Sequence, residues 1–380
     1  MALWQTCHVG GDEEMSEFLQ RYKVVLRTLT PVFIGSGERI SKKEYIYFSK
    51  TKEVLIPNMN SLFSDVLQRG LEKEFEKYML HESQPLLVWM RSVGYTEKEI
   101  RSLCGLSMDC SDALDNLNRP VAIQRFMKDS LGRPYIPGSS LKGALRTCLL
   151  ANKILTEKEN YKNVAAEIRG NNPWKDGRKK YFLSTEKNTV EKIAFQTLTK
   201  KDDYFNALND ELRGLRIVDS NPIPIEQLIL CQKVDKGLEK GKNALNILRE
   251  CLRPGTEVEF DMVIDSKELS LSKGQIENAI AKVYSFYSEV YVNKFTKMPN
   301  RNDCIYLGGG CGYGTKTVLN ELLDDSDRVK YVSDMMHSKF PKHGHRNDVR
   351  KGVSPHMLKC TRYNGKLYEM GKCSIRIEEA

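Results

Sequence analysis

The stretch Glu257-Val-Glu-Phe-Asp-Met-Val-Ile264 has apolar side chains at positions 258, 260, 262 and 264 and acidic ones at 257, 259 and 261. An apolar period of two predicts a strand with one buried face. Ser272 and Gln275 then match a capping box, and apolar residues at 276, 280, 283, 287 and 291 follow at helical spacing. This stretch therefore predicts a strand followed by an amphipathic helix.

The rest of the chain mixes the same elements. Residues 22–30 predict a strand, and residues 45–48 and 53–56 predict a hairpin. Asn60 is placed to cap a helix, and Asn364-Gly365 is a strong type I′ turn signal between two further strands. Because hairpins are interspersed with helices, we expect an α+β fold rather than a purely parallel sheet.

The length and charge of the chain limit its class. At 380 residues and 43.6 kDa it suggests about two domains. Residues 119–180 carry net +9 and residues 328–380 carry net +7, whereas the whole chain carries only +9. Two basic islands in an acidic background favour local contact with a polyanion. Since residues 1–12 lack a basic and apolar leader, we expect no signal peptide, no membrane partner and a cytoplasmic location.

Cysteine and histidine spacing argues against a structural metal or disulfides. The ten cysteines contain no CxxC pair, so we expect reduced core residues. His343 and His345 could in principle bind a metal, but Lys342 and Arg346 flank them, and no neighbouring acidic cluster is evident. We favour a solvated basic loop, and we expect no metal and no cofactor.

Two segments could hold phosphate groups. The cluster Gly308 to Gly314 followed by Lys316 lets backbone N–H groups approach an anion, although it matches neither a Walker A loop nor GxGxxG. The helix predicted after Ser139 or Ser140 presents Lys142 and Arg146 on one face near a positive helix N-terminus. An ordinary glycine turn and a solvated basic face are the alternatives. No catalytic signature is evident, so we expect no enzyme activity.

Five motifs occur in one order along the chain: Thr28-Leu-Thr-Pro-Val-Phe-Ile-Gly-Ser-Gly-Glu38, Pro134-Tyr-Ile-Pro-Gly-Ser-Ser-Leu-Lys-Gly-Ala-Leu-Arg-Thr147, Arg249-Glu-Cys-Leu-Arg-Pro-Gly-Thr256, Leu307-Gly-Gly-Gly-Cys-Gly-Tyr-Gly-Thr-Lys-Thr317 and Ser354-Pro-His-Met-Leu-Lys359. Together they resemble the RAMP superfamily of CRISPR effector proteins. Within it, the set is most similar to the fifth-subunit family of type III-A (Csm) complexes. The resemblance runs from about residue 22 to residue 377.

The resemblance implies ferredoxin-like (RRM-like) folding in two units. We expect an N-terminal extension at 1–15, a first RAMP unit at 16–225 with an insertion around 152–213, and a second unit at 226–380 with the glycine-rich loop 308–316. The RNA-facing positions that it implies are Gly35, Gly37, Ser139, Ser140, Lys142, Arg146, Gly308, Gly309, Gly310, Gly312, Tyr313, Gly314 and Lys316.

The resemblance further implies a non-catalytic, RNA-binding subunit in antiviral defence. Its expected partners are the 3′ region of the crRNA and other Csm subunits, above all the RAMP backbone subunit, with target RNA and host nucleases as further candidates. It also implies a part in crRNA maturation and complex assembly. The alternative is a RAMP-type endoribonuclease that processes precursor crRNA with a histidine as general base, although His8 and His81 lie in no glycine- or lysine-rich motif.

Overall fold

The computed structural model describes residues 18–81, 83–115, 121–200, 207–238, 241–297, 299 and 301–380. The predicted extension at 1–15 lies outside the described residues. Within the described ranges, no helix combines the length and the apolar character that a membrane span requires.

The strands are β1 (Leu19–Thr28), β2 (Gly35–Ile40), β3 (Ile46–Phe48), β4 (Glu53–Pro57), β5 (Cys104–Asp109), β6 (Ile123–Phe126), β7 (Leu215–Ile217), β8 (Leu228–Gly237), β9 (Lys242–Leu252), β10 (Glu257–Asp265), β11 (Cys304–Tyr306), β12 (Met357–Tyr363), β13 (Lys366–Glu369) and β14 (Lys372–Glu379).

The helices are α1 (Met59–Gln68), α2 (Glu72–His81), α3 (Leu86–Ser92), α4 (Glu97–Ser102), α5 (Gly138–Thr156), α6 (Lys158–Gly170), α7 (Pro173–Asp176), α8 (Ser184–Phe195), α9 (Lys273–Val290), α10 (Leu319–Leu322), α11 (Asp325–Lys339) and α12 (Asp348–Lys351). The α+β prediction is confirmed.

The first sheet has the strand order β11-β14-β1-β10-β7. β1 lies between β10 and β14 and pairs antiparallel with both. The alternation predicted for β10 is confirmed, because Val258, Phe260, Met262 and Ile264 are buried. Helices α5 and α9 pack against each other, and their buried residues share one core with this sheet.

The second sheet has the order β2-β6-β9-β8-β5-β4-β3, and β12 joins it by pairing with β8. A buried ion pair stabilises the contact of β6 with β9, since Lys128 Nζ lies 2.9 Å from Glu250 Oε2. The same carboxylate accepts a hydrogen bond from the Phe126 backbone N–H. Helices α1–α4 form a separate small core beside β3 and β4.

Both sheets take strands from either side of residue 225. β1 pairs with β10 and β14, and β6 pairs with β9. Neither of the units predicted at 16–225 and 226–380 therefore contains a complete sheet. That division stays a prediction. Within 152–213, helices α6 and α8 bury Tyr161, Ile168 and Phe195 in the main core, so these helices pack against the rest of the protein.

Two predicted helix caps are wrong, whereas one is confirmed. Asn58, not Asn60, caps α1, because its side chain accepts the N–H groups of residues 60 and 61. Helix α5 begins at Gly138, before either predicted serine cap, and a side chain distant in sequence serves its first turn. The capping box of Ser272 and Gln275 on α9 is confirmed.

Candidate nucleic-acid interface

The glycines of the glycine-rich loop 308–316 let its main chain pack closely against neighbouring residues. Gly308, Gly310 and Gly312 have φ values of +83°, +86° and +101°, a backbone region that side chains rarely adopt. The Gly309 N–H donates to the Phe33 carbonyl oxygen at 2.7 Å. A Cβ atom on Gly308 would lie 2.2 Å from that same oxygen. The loop therefore has a fixed course beside the residues that precede β2.

The ring of Phe33 links this loop to the predicted glycines of β2. A Cβ atom on Gly35 would lie 2.9 Å from the ring, and one on Gly309 would lie 3.1 Å from it. Gly37 is exposed with φ +88°, and no atom crowds its Cβ position. The structure thus brings Gly35 and the loop together at one place.

Three cations lie on the second sheet under the loop. The Arg249 guanidinium stacks over Phe33 at 5.2 Å from the ring centroid, and it adjoins Gly310. Lys359 adjoins Gly312, and its Nζ donates to Asp235 Oδ2 at 2.9 Å. Lys233 Nζ lies 4.0 Å from the other oxygen of Asp235. We call Lys233, Arg249 and Lys359 the cationic patch.

The patch is short of negative charge. Burial is the main cause that lowers the pKa of Lys233; Asp235 opposes this shift, and the charges of Lys359 and Arg249 add to it. All three patch side chains are half-buried. Desolvated cations that repel one another gain most from an added anion. The geometry suits a phosphate group at the edge of the loop.

At the C-terminal end of the loop, one side chain is exposed and another points into the protein. Lys316 is exposed. The Tyr313 hydroxyl points inward to Met335 Sδ at 3.9 Å, and burial raises the pKa of this phenol. Gly314 is buried, and a Cβ atom on it would lie 2.6 Å from the Tyr287 ring. Among the loop residues predicted to face RNA, Lys316 is therefore accessible, whereas Gly314 is buried and Tyr313 is half-buried.

The first turn of α5 already holds a carboxylate. The Gly138 N–H donates to Asp219 Oδ1 at 2.8 Å. A Cβ atom at Gly138 would lie 2.2 Å from the Ile217 carbonyl oxygen, so this helix end is pressed against β7. Ser139 is exposed and Ser140 is half-buried. The carboxylate occupies the place where the helix dipole would favour a phosphate.

Of the two α5 cations predicted to face RNA, Arg146 is paired within the protein and Lys142 is half-buried. Arg146 pairs with Glu191 at 2.5 Å and with Asp210 at 2.8 Å, and its guanidinium stacks on Phe195 at 4.4 Å. Burial is the main cause that lowers the pKa of Lys142. Contact between Arg146 and RNA would require both ion pairs to open. The RNA role of Ser139, Ser140, Lys142 and Arg146 stays a prediction.

The two predicted phosphate sites lie at opposite edges of the first sheet. Helix α5 begins against β7, whereas the loop directly follows β11. Four strand spacings separate these edges, or about 19 Å at the usual spacing. The sites do not combine into one pocket, although later turns of α5 reach Gly314 and Thr315 across a small cavity of about 60 Å³.

A buried cluster joins His345, Asp348 and His356. Asp348 accepts hydrogen bonds from Ser354 Oγ at 2.7 Å and from both imidazoles, with His345 Nδ1 at 3.0 Å. The three side chains could hold a metal ion. Asp348 is a neighbour of His345 that the sequence argument against a metal overlooked, and the expectation of no metal stays a prediction. The hydrogen bonds of Asp348 fix the course of residues 345–356.

Comparison with known proteins decides the family. The family model of the RAMP superfamily matches residues 25–330. The chain belongs to the RAMP superfamily. The sequence-based identification and the expectation of a RAMP fold of ferredoxin-like units are confirmed.

The chain is similar to curated Csm5 proteins along nearly its whole length. The "CRISPR system Cms protein Csm5" of Mycobacterium tuberculosis (strain ATCC 25618 / H37Rv) is 29% identical, over 96% of this chain and 100% of the relative. The protein of the same name from Streptococcus thermophilus is 27% identical, over 96% of this chain and 99% of the relative.

Two solved structures share the fold. A chain of a Csm–crRNA–target RNA ternary complex of a type III-A CRISPR-Cas system aligns with a TM-score of 0.62 at 15% identity, covering 93% of this chain and 100% of that one. The crystal structure of T. onnurineus Csm5 aligns with a TM-score of 0.59 at 16% identity, covering 92% and 99%.

Sequence reasoning missed the cationic patch of this RAMP protein as a binding element. Two of its members stand in the quoted motifs, since Arg249 begins one and Lys359 ends another. Lys233 lies outside them. That signal was available, but the pairing of β8 with both β9 and β12 is what brings the three side chains under the glycine-rich loop.

Proposed function

We propose that this RAMP protein is a non-catalytic, RNA-binding subunit of a type III-A CRISPR (Csm) ribonucleoprotein. Family membership and the Csm5 relatives support the effector class. The shared fold with a chain of a Csm–crRNA–target RNA complex supports crRNA and other Csm subunits as partners. No one of these observations identifies the surface that contacts RNA.

The cationic patch beneath the glycine-rich loop carries the proposal. Two lysines share Asp235, Arg249 lies beside Gly310, and Lys316 extends outward from the end of the loop. Glycines without Cβ atoms let a sugar–phosphate backbone come close to the main chain. The arrangement contacts phosphates rather than base edges, so it supports sequence-tolerant binding.

The finer role follows from the resemblance. We propose that the loop contacts the 3′ region of the crRNA, beside the RAMP backbone subunit, and that it protects this region during crRNA maturation. Such a position would make the protein necessary for assembly as well as for RNA retention.

The alternative function, an endoribonuclease, would need a general base. His345 and His356 are a pair of histidines that could be considered for this role. Their relative exposures are 7% and 6%, and Asp348 engages both imidazoles. A general base must reach the RNA 2′-hydroxyl directly or through one water. A buried, hydrogen-bonded pair does not offer this, so His345 and His356 give no support to cleavage.

The test replaces one loop cation, Lys316, and one cation of the patch, Lys359, in the assembled complex. We expect Lys316→Ala with Lys359→Ala to reduce the crRNA recovered with the tagged complex and to broaden its 3′-end lengths. Lys73→Ala with Lys77→Ala, two exposed lysines of α2, is the matched control. Normal crRNA yield and normal 3′ ends in the loop variant would contradict the proposal. Cleavage of precursor crRNA at one position by the purified chain would favour the alternative.

A further inference from the structure

The two basic islands of the sequence meet on one side of the folded protein. The Arg178 Nε donates to the Ser338 carbonyl oxygen at 2.5 Å. The ring of Trp174 lies 5.0 Å from that of His337, and the Arg346 guanidinium lies 5.1 Å from the Trp174 centroid. Residues 173–181, from the first island, therefore adjoin residues 337–346, from the second. We call these two segments the joined basic surface.

The joined basic surface is strongly cationic and open to solvent. Its cations are Lys175, Arg178, Lys179, Lys180, Lys339, Lys342 and Arg346, and all are exposed. Within the two segments, Asp176 is the single acidic residue, so the net charge is +6. Nearby charge also holds down the pKa of His337, where burial is the first cause and Arg346 the second. A surface of this charge attracts a polyanion.

Aromatic rings stand among these charges. Trp174, Tyr181 and Phe340 are 46%, 71% and 48% exposed. Large rings exposed to water mark interaction sites when they cluster, and cations alternating with rings suit unpaired bases. Trp174 contacts both His337 and Arg346, and Phe340 adjoins His343 at 5.7 Å. Two of the rings are therefore positioned by neighbours.

The buried cluster described above supports the second segment. His345 and Asp348 are 7% and 0% exposed, and they fix the chain directly after Lys342. His343 stacks on His345 at 6.5 Å. The segment that carries Phe340, Lys342 and Arg346 thus rests on an internal hydrogen-bond network and is not a freely solvated loop.

A cavity connects this surface with the glycine-rich loop. It has a volume of about 320 Å³, and both Lys316 of the loop and Lys339 of the joined surface line it. Lys187 adds a third cation, while Glu186 and Glu191 are the carboxylates present. A strand held at the loop could pass along this cavity to the rings beyond it.

We propose that the joined basic surface binds single-stranded RNA, with its lysines on phosphates and the rings of Trp174, Tyr181 and Phe340 stacked on bases. The inference rests on the proposed RNA-binding function but concerns a second surface, away from the cationic patch. It gives the helical segment around 173–181 a function. RNA fits better than an acidic protein, since cations and exposed rings occur together as in single-strand binders.

The test separates charge from stacking in the full-length chain. A fluorescein-labelled 20-nucleotide oligouridylate is titrated at several salt concentrations. Lys179→Ala, Lys180→Ala and Lys342→Ala together should weaken binding about tenfold and lower the salt slope by about two, since each single-strand phosphate contact contributes about 0.7. Tyr181→Ala with Phe340→Ala should weaken binding at least about fivefold with an unchanged slope.

Exposed lysines elsewhere supply the matched control. Lys73→Ala, Lys77→Ala and Lys98→Ala together remove the same charge from α2 and α4 and should leave the slope nearly unchanged. Equal affinities of the surface and control triples would overturn this inference while leaving the proposed function intact. Loss of complex assembly with unchanged RNA affinity would overturn it in favour of an acidic protein partner. No RNA binding by the parent chain would overturn both proposals.

Discussion

The glycine-rich loop and the N-terminus of α5 look alike as sequence but differ as structure. Each combines glycines, small polar residues and cations. The loop lies over three cations, of which Lys233 and Lys359 share one carboxylate, Asp235. In α5, Asp219 occupies the helix end, and Glu191 and Asp210 neutralise Arg146. The cations beside the loop have few acidic partners, whereas Arg146 of α5 is neutralised within the protein.

Residue type alone therefore does not show whether a cation stabilises the fold or is available to bind a ligand. Arg146 and Glu191 are 45 residues apart in sequence, so the residues around Arg146 do not predict this ion pair. A cation paired inside the protein contributes stability, while one short of partners contributes binding. The predictions on Arg146 and on RNA binding below test on which side of this division a cation falls.

The largest expected effect is on loop packing. Gly308→Ala should destabilise the protein by about 4 kcal/mol, because a Cβ atom would meet the Phe33 carbonyl at 2.2 Å in a backbone conformation that disfavours alanine. Urea unfolding of parent and variant measures this. A glycine of α5 provides the control.

That control is Gly143→Ala. Gly143 lies within α5, has ordinary helical geometry, and has no atom within 4 Å of its Cβ position. Replacement should stabilise the protein by about 0.5–1 kcal/mol, since alanine favours a helix. Equal effects at the two glycines would break the contrast between a packed loop and a tolerant helix.

The second effect concerns Glu321, at the buried contact between the loop and α5. Burial raises the pKa of this carboxyl from its ordinary 4.5 to about 8. The folded state therefore keeps a proton that the unfolded state releases, and stability should fall between about pH 5 and pH 8. The expected slope is roughly 1 kcal/mol per pH unit.

Glu321→Gln should flatten this dependence. Glutamine keeps the shape but cannot ionise. The free energy of unfolding of the variant, relative to that of the parent, should therefore increase as pH rises. Urea unfolding at pH 5, 6, 7 and 8 gives the difference between the two proteins. Parallel curves for parent and variant would show that Glu321 does not carry the effect.

The smallest effect on stability concerns Arg146. Arg146→Ala should cost about 1–2 kcal/mol, because Glu191 and Asp210 lose their partner and Phe195 loses a stacked guanidinium. A solvated basic face, the alternative left open by the sequence, would lose less than about 0.5 kcal/mol on the same replacement. Lys158→Ala, at an exposed position of α6, should change stability by less than about 0.5 kcal/mol. Thermal unfolding of the two variants distinguishes these expectations.

Local patterns carried much of the fold. The alternation in β10, the capping box of α9, the β3–β4 hairpin and the Asn364-Gly365 turn between β12 and β13 are all confirmed. Each depends on neighbours within a few residues. The cap of α5 was missed because Asp219, about 80 residues away, replaces a local serine.

The site was predicted in part. The glycine-rich loop was identified from composition, but its fixed course depends on Phe33, some 275 residues earlier in the chain. The cationic patch arises only when β8 pairs with β9 and β12. The joined basic surface likewise needs the packing of α7 on α11. Tertiary pairing decides these features, and no local pattern encodes it.

The salt dependence of RNA binding tests the central claim most directly. Single-stranded RNA is titrated with the parent, with Lys316→Ala plus Lys359→Ala, and with Lys142→Ala plus Arg146→Ala. The loop variant should bind more weakly, with a slope lower by about 1.4, because two phosphate contacts are lost. The helix variant should keep the parent's affinity and slope at temperatures below its unfolding transition. A helix variant that loses affinity and slope, beside a loop variant that keeps both, would contradict the account.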